Sequence, residues 1–251
     1  MSEASPAVAG IEKELRGLGD PEAAAFLARF FKTGPGEYGE GDRFLGIRVP
    51  VLRKLARKHQ SLDLSDCRAL LVSPYHEARL LALLILVRAY DRGDEERRDA
   101  IYRLYLDHLA YVNNWDLVDC SAEHIIGRHL ERRDKALLHD LARSRSVWER
   151  RVAIMATFRY VKAGSFEETL RIADMLLQDP HDLIHKAVGW MLREVGKRDR
   201  AAAEAFLRPR YRRMPRTMLR YAIERYPEDL RQRYLRGEVE SGSEAAAGAS
   251  S

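Results

Sequence analysis

The segment RLLALL, residues 79–84, begins an apolar helical stretch that recurs along the chain. Comparable segments begin at Trp115, Arg151, Lys186 and Arg220, so successive starts are separated by 36, 36, 35 and 34 residues. A second helical segment lies in each interval, over residues 95–111, 134–142, 166–177 and 200–207. No stretch alternates as a β-strand does. Paired helices at a period near 35 residues predict an all-α fold, an α-solenoid of HEAT-like repeats with a concave groove.

The charge is unevenly distributed along the chain. The net charge of the 251 residues is +5, and residues 237–251 contain three glutamates and no Lys or Arg, which leaves +8 on residues 1–236. The Gly, Ala, Ser and Glu composition of residues 237–251 predicts a disordered tail after a single domain over residues 1–236. A basic domain suits a polyanion such as nucleic acid, although a soluble surface explains the charge equally well.

Several classes of protein are excluded by composition. No run of 18 apolar residues predicts a transmembrane helix, and residues 1–10 lack the basic start of a signal peptide. The two cysteines, Cys67 and Cys120, form no CxxC motif, which argues against a disulfide framework and a zinc ribbon. We therefore expect a monomer without a cofactor or membrane partner, located in the cytoplasm and associated with the nucleoid in a bacterial cell.

Two columns of the repeat alignment predict a groove. Residues four apart share a helical face, so the first residues of the helices and those four positions later should lie side by side. The first column is basic except at Trp115, and the second places Asp119 and Trp190 among apolar residues. The first column contains Arg79, Trp115, Arg151, Lys186 and Arg220, and the second Leu83, Asp119, Met155, Trp190 and Glu224. A basic groove suits DNA phosphates; the alternative is that the arginines are merely solvated or paired within their units and that Trp190 belongs to the core.

Two further motifs carry weaker predictions. The glycine-rich insert Gly34–Asp42 predicts a loop or a tight two-stranded hairpin that presents Tyr38, and it lacks the P-loop pattern. Arg43 and Arg48 follow it, and we expect both to contact DNA. His181 and His185 have the i, i+4 spacing of metal ligands, but no third ligand is evident, and no metal site is predicted.

Five segments resemble the AlkD-like family of DNA alkylation repair glycosylases, which are built from HEAT-like repeats. They are FFK at 30–32, FLGIRVP at 44–50, NWDLVD at 114–119, WERRVAI at 148–154 and KAVGWMLR at 186–193. The resemblance implies active-site roles for Trp115, Asp119 and Trp190. It also implies a groove arginine at Arg151. The further DNA contacts that it implies are Arg159, Arg193 and the aromatic Phe30, and the groove prediction adds Lys186.

The activity that the resemblance implies is excision of cationic N3- and N7-alkylated purines from double-stranded DNA, without base flipping into a pocket. Asp119 would stabilise positive charge on the deoxyribose, and the tryptophan rings would hold the cationic lesion. The insert departs from the family pattern and leaves an alternative, a non-catalytic binder of branched or damaged DNA. A HEAT-repeat protein scaffold is the third hypothesis.

Overall fold

The computed structural model describes residues 5–240, and the regular elements in this range are all helices, which confirms the all-α prediction. Within this range the sole β interaction is an isolated bridge between Arg43 and Tyr75. None of the described helices is long and apolar enough to cross a membrane. The chain divides into two compact units that meet in sequence at His129 and Leu130. The single domain over residues 1–236 stays a prediction.

The first unit contains seven α-helices, a 3-10 turn and a π-helical turn. They are α1 (Pro6–Gly17), α2 (Pro21–Phe30), α3 (Val49–Lys58), α4 (Leu64–Leu71), α5 (His76–Arg92), α6 (Glu95–Asp107), the 3-10 turn Leu109–Tyr111, α7 (Trp115–Asp119) and the π-helical turn Glu123–Gly127. The short helix α8 (Arg128–Leu130) carries the chain past the division.

The second unit continues the pattern of short paired helices. It contains α9 (Ala136–Ala142), α10 (Val147–Ala156), α11 (Phe158–Lys162), α12 (Glu167–Met175), α13 (Asp182–Arg198), α14 (Arg200–Leu207), the 3-10 turn Tyr211–Arg213, α15 (Arg216–Ala222) and α16 (Glu228–Arg236).

Polar caps explain where several helices begin. Asp20 accepts the backbone N–H groups of Glu22 and Ala23 ahead of α2, which also has proline in its first turn. Ser146 accepts the N–H of Glu149 at the start of α10. Such caps satisfy donors that have no partner inside the helix and contribute about 1 kcal/mol each.

Each unit is organised around one long buried helix. In the first unit, α5 packs against α3, α4 and α6 and is apolar around most of its circumference, as is typical of a core helix. In the second, α13 packs closely on α15. Gly189 permits that approach, because a Cβ atom there would lie 2.5 Å from the carbonyl oxygen of Met218.

The segment between the glycine-rich loop and α3 is held by a buried carboxylate. Glu77, 1% exposed, accepts the backbone N–H groups of Leu45, Gly46 and Ile47 at 2.9, 2.8 and 3.2 Å. This segment forms no strand or helix, so its N–H groups need an acceptor from elsewhere. Glu77 therefore fixes the path of the chain into α3.

The repeat register of the second unit differs by one residue from the predicted alignment. Arg79, Arg150 and His185 each donate a side-chain hydrogen bond to the backbone carbonyl six residues earlier, on Ser73, Ser144 and Asp179 respectively. These three residues are therefore structurally equivalent. The predicted first column places Arg151 and Lys186 beside Arg79, one position later than this shared contact indicates. At Arg151 two adjacent arginines gave no way to choose the register from the sequence.

The predicted tail is ordered at its beginning. The Tyr211 hydroxyl donates to the carbonyl of Val239 at 2.8 Å, and Arg212 donates to that of Gly237 at 2.9 Å. Val239 is 2% exposed. Packed structure thus continues through residues 237–240, past the predicted boundary, and the rest of the predicted tail lies outside the described residues.

Candidate functional site

The short helix α7 carries the two residues that the sequence placed at the centre of the site. Asn114 caps it by accepting the N–H of Trp115 at 2.8 Å, and Leu117 and Val118 bury the opposite face in the core. These anchors leave Trp115 and Asp119 half-buried at either end of the helix. At 1.5 Å per residue the two positions are about 6 Å apart along the axis.

Trp115 lines an aromatic cleft of about 700 Å³ in the first unit. Its ring stacks on Phe31 with centroids 5.1 Å apart and meets Phe30 edge-on at 6.0 Å. Phe30 and Phe26 are 54% and 58% exposed, so two rings stand open at this cleft. Arg48 also lines it. The structure therefore brings together three of the predicted site residues, Phe30, Arg48 and Trp115, around one cleft. The sequence had predicted a groove and no cleft of this kind.

Asp119 lines a different cavity, an open pocket of about 340 Å³. Helix α3 contributes Arg53 and Arg57 to the pocket, α5 contributes Arg88, and His124 follows α7. Trp115 and Asp119 stand at the two ends of the five-residue helix α7, and each lines its own cavity, so their joint action at one site stays a prediction. Trp115 lies against α2, while Asp119 lies beside α3 and α5.

A buried charge network fixes the position of α7. The His76 ring bonds Asp42 through Nδ1 at 2.9 Å and Asp116 through Nε2 at 2.8 Å. Arg79 donates to the second oxygen of Asp42 at 2.5 Å, and Asn114 donates to Asp42 at 3.3 Å. Two cations thus face two carboxylates in a site where His76, Arg79 and Asp42 are at most 5% exposed. Such pairing is what makes buried charge tolerable.

The network sets the ionisation of its members. Burial lowers the pKa of His76, but the hydrogen bonds and charges of Asp116 and Asp42 outweigh it and raise that pKa to about 9. Burial raises the pKa of Asp42, and the nearby His76 and Arg79 overcome it, so that the pKa lies below its usual range. His76 is therefore an imidazolium at neutral pH, and both ring nitrogens donate.

The glycine-rich insert is a loop of successive turns. Of its two predicted forms the loop is confirmed and the hairpin is wrong, since no strand pairing occurs among the described residues of this segment. The loop is closed by its own backbone bonds, such as Gly39 N–H to the Lys32 carbonyl, and it ends at Asp42 of the network. Tyr38 is half-buried, and the Lys32 ammonium nitrogen lies 5.9 Å from the centre of the Tyr38 ring.

Arg43, immediately after the loop, is exposed. Its guanidinium lies 5.6 Å from the centre of the Tyr75 ring. This stacking leaves the edge of the guanidinium accessible to an anion. The DNA contact at Arg43 stays a prediction, and this geometry is compatible with it.

The remaining predicted residues belong to the second unit. Trp190 is half-buried, 5.8 Å from the Phe158 ring. Arg151 is 5% exposed and donates to the Leu183 carbonyl at 2.6 Å, which gives this guanidinium a structural role in the core. The predicted contact between Arg151 and DNA stays a prediction.

Three other predicted cations of that unit form ion pairs. Arg159 binds Glu131 through two bonds of 3.0 and 3.1 Å, Lys186 binds Asp182 at 2.7 Å, and Arg193 binds Glu224. Surface pairs of this kind contribute about 0–1 kcal/mol, so a phosphate can replace the carboxylate at little cost.

The two histidines with metal-ligand spacing have backbone partners. His181 accepts the N–H of Leu183 and caps α13, and His185 donates to the Asp179 carbonyl. No group of three potential metal ligands occurs within residues 5–240.

A family model for the DNA alkylation repair enzyme matches residues 11–226 of this chain. The chain belongs to the DNA alkylation repair enzyme family. A solved structure, "Predicted DNA alkylation repair enzyme from Enterococcus faecalis", is similar at a TM-score of 0.64 and 17% identity, covering 84% of this chain and 97% of that one. At this identity the likeness supports the fold alone. No curated protein matches the chain.

Sequence reasoning missed several residues of this DNA alkylation repair family member. Arg53 and Arg57 lie on α3, a helix outside the repeat alignment, and Arg88 lies nine residues beyond the alignment column at Arg79. A signal did exist, since Arg53 and Arg57 are four residues apart and share a helical face. His76 gave no signal, because its partners are 34 and 40 residues away in sequence.

Proposed function

We propose that the protein is a DNA glycosylase that excises cationic N3- and N7-alkylated purines from duplex DNA by hydrolysing the N-glycosidic bond. The observation that supports this proposal is the position of the Asp119 carboxylate in an open pocket lined by arginines. The same short helix carries Trp115, which lines the aromatic cleft. Family membership supplies the connection to alkylated DNA.

Alkylation supplies much of the driving force for this reaction. A purine alkylated at N3 or N7 carries a positive charge, and it takes the electron pair of the bond between C1′ and the base nitrogen as it leaves. The base departs neutral, and the positive charge develops on the sugar. A fixed carboxylate beside that charge stabilises the transition state more than the ground state.

Asp119 is the residue that we assign to this role. Its carboxylate stabilises the sugar cation and orients the water that attacks C1′, and the proton released from the water passes to Asp119 or to solvent. The surrounding arginines draw the negatively charged backbone toward the pocket. No metal or other cofactor is required by this chemistry.

The aromatic cleft is proposed to hold the damaged base. The faces of Trp115 and Phe30 attract a cationic ring by about 0.5–2 kcal/mol each. As the family resemblance implies, the lesion is proposed to contact these open rings without being flipped into a closed pocket. For Trp190, in the second unit, the active-site role that the family resemblance implies is kept as a proposal.

The test is release of free 7-methylguanine and 3-methyladenine from methylated duplex DNA. Wild-type protein is expected to release both, and Asp119→Asn to release them about 10²–10³-fold more slowly, since loss of one electrostatic group at a reaction centre has that effect. Binding to DNA should be retained in the variant. Asp107→Asn, at the exposed end of α6 in the same unit, is the matched control and should behave as wild type.

Two results would contradict the proposal. Equal release by wild type and Asp119→Asn would remove Asp119 from the mechanism. No release by either protein, with DNA binding intact, would favour the alternative of a non-catalytic binder of branched or damaged DNA. That alternative would have to work without the predicted hairpin.

A further inference from the structure

Three arginines line the pocket that contains Asp119. Arg53 and Arg57 are exposed on one face of α3, and Arg88 is half-buried on α5. Within residues 5–240, none of the three forms an ion pair with a carboxylate. Other arginines of this unit do: Arg16 with Glu12, Arg79 with Asp42, and Arg128 with Asp91.

Arg88 has a buried hydrogen-bond donor without an acceptor. Its Nε atom is inaccessible to solvent and has no hydrogen-bond acceptor in the structure. A buried donor without an acceptor is uncommon in proteins, because it loses water and gains nothing in return. The Arg88 guanidinium therefore has donor capacity for a hydrogen bond to a group bound in the pocket.

The charge of the pocket identifies the class of ligand. Three guanidinium groups face one carboxylate, so the pocket remains positive with Asp119 ionised. Arginine presents several donors in a fixed plane, which matches the paired oxygens of a phosphate group. An opening of about 340 Å³ is large enough for one phosphate and the atoms attached to it.

We infer that Arg53, Arg57 and Arg88 hold one phosphodiester of the DNA backbone beside Asp119. The inference deepens the proposed function, because it places the backbone of the damaged strand at the reacting carboxylate. The backbone would then lie at the Asp119 end of α7, and the attached base would extend toward the Trp115 end, about 6 Å along the helix axis. The close arginines also offset the repulsion between the phosphate and the Asp119 carboxylate.

The experiment measures binding of an unmodified linear duplex over a range of salt concentrations. Each phosphate that a protein neutralises contributes about 0.9 to the slope of log K against log salt. The triple variant Arg53→Gln/Arg57→Gln/Arg88→Gln is expected to lower the slope by about 0.9, which corresponds to roughly fivefold weaker binding at about 0.15 M salt. Arg68→Gln is the matched control, an exposed arginine on α4 of the same unit, and should keep the wild-type slope.

Two further variants protect the test. The double variant Arg53→Gln/Arg57→Gln changes only exposed residues and should fold normally. It should also show a reduced slope of log K against log salt, which keeps the test available if the triple variant is unstable. Arg88→Lys keeps the charge but loses the planar fork, and we expect weaker binding with an unchanged slope.

The outcomes separate this inference from the glycosylase proposal. A wild-type slope in the triple variant would overturn the phosphate site even if base excision proceeds. An equal fall in slope for Arg68→Gln would also overturn it, since the effect would then be one of general surface charge. A reduced slope confined to the pocket variants would support the site even if no base is released.

Discussion

Replacing His76 tests how the buried network holds α7. The pKa of His76 rises from 6.5 to about 9 on folding. A pKa that differs by one between the unfolded and folded states corresponds to about 1.4 kcal/mol, so protonated His76 contributes about 3 kcal/mol to the free energy of unfolding. Because the folded-state pKa is the higher one, this contribution is complete below pH 6.5 and is lost as the pH rises through about 9.

The expected result is a pH-dependent difference between wild type and His76→Gln. Wild type should be more stable at about pH 6, and the difference should shrink by about 3 kcal/mol by about pH 10. Taking the difference between the two proteins cancels the titration of groups that they share. Asp116→Asn removes the charge of one of the two carboxylates and should show an intermediate dependence on pH.

The assay is urea unfolding followed by tryptophan fluorescence. The chain has three tryptophans, and a background of Trp148→Phe with Trp190→Phe leaves Trp115, which lies in the same unit as His76 and next to the network through Asp116. His108→Gln is the matched control, because that ring bonds the Leu104 carbonyl. A difference between wild type and His76→Gln that stays constant from about pH 6 to pH 10 would refute the assignment of His76 as a buried cation.

Two other substitutions test the packing of each unit. Gly189→Ala should lower the thermal unfolding temperature and destabilise by about 1–3 kcal/mol, since the new Cβ would lie 2.5 Å from the Met218 carbonyl oxygen and must force α13 and α15 apart; an unchanged melting temperature would show that the two helices separate freely. Glu77→Gln should cost about 1–3 kcal/mol in urea unfolding, because an amide NH₂ replaces one of the oxygens that accept the three buried N–H groups. Stability equal to wild type would mean that those N–H groups find another acceptor.

The sequence predicted the elements of this fold better than their register. Helical periodicity and capping residues are local properties, and they correctly indicated an all-α chain with a helix start at Trp115. Register in the second unit depended on a contact six residues back in the chain, from Arg150 to Ser144. With two adjacent arginines, a fixed-period alignment chose Arg151, the residue that is buried.

The site was predictable to the extent that it lies on one helix. Trp115 and Asp119 are four residues apart, and their exceptional character among apolar neighbours was visible in the sequence. Which cavity each would line depends on α2, α3 and α5, whose packing no local pattern specifies. In the sequence, Arg53 and Arg57 are typical of the solvated face of an amphipathic helix. Only the structure shows that they line the same pocket as Asp119.

Because Asp42 is held firmly, a change in the glycine-rich loop should not alter the helices that follow it. Residues 34–41 close on themselves through turns, while Asp42 is held by His76, Arg79 and Asn114. Gly36 and Gly41 have open space where a side chain would begin. The loop therefore offers an attachment point for a fluorophore or an affinity peptide between these two glycines that leaves the helices undisturbed.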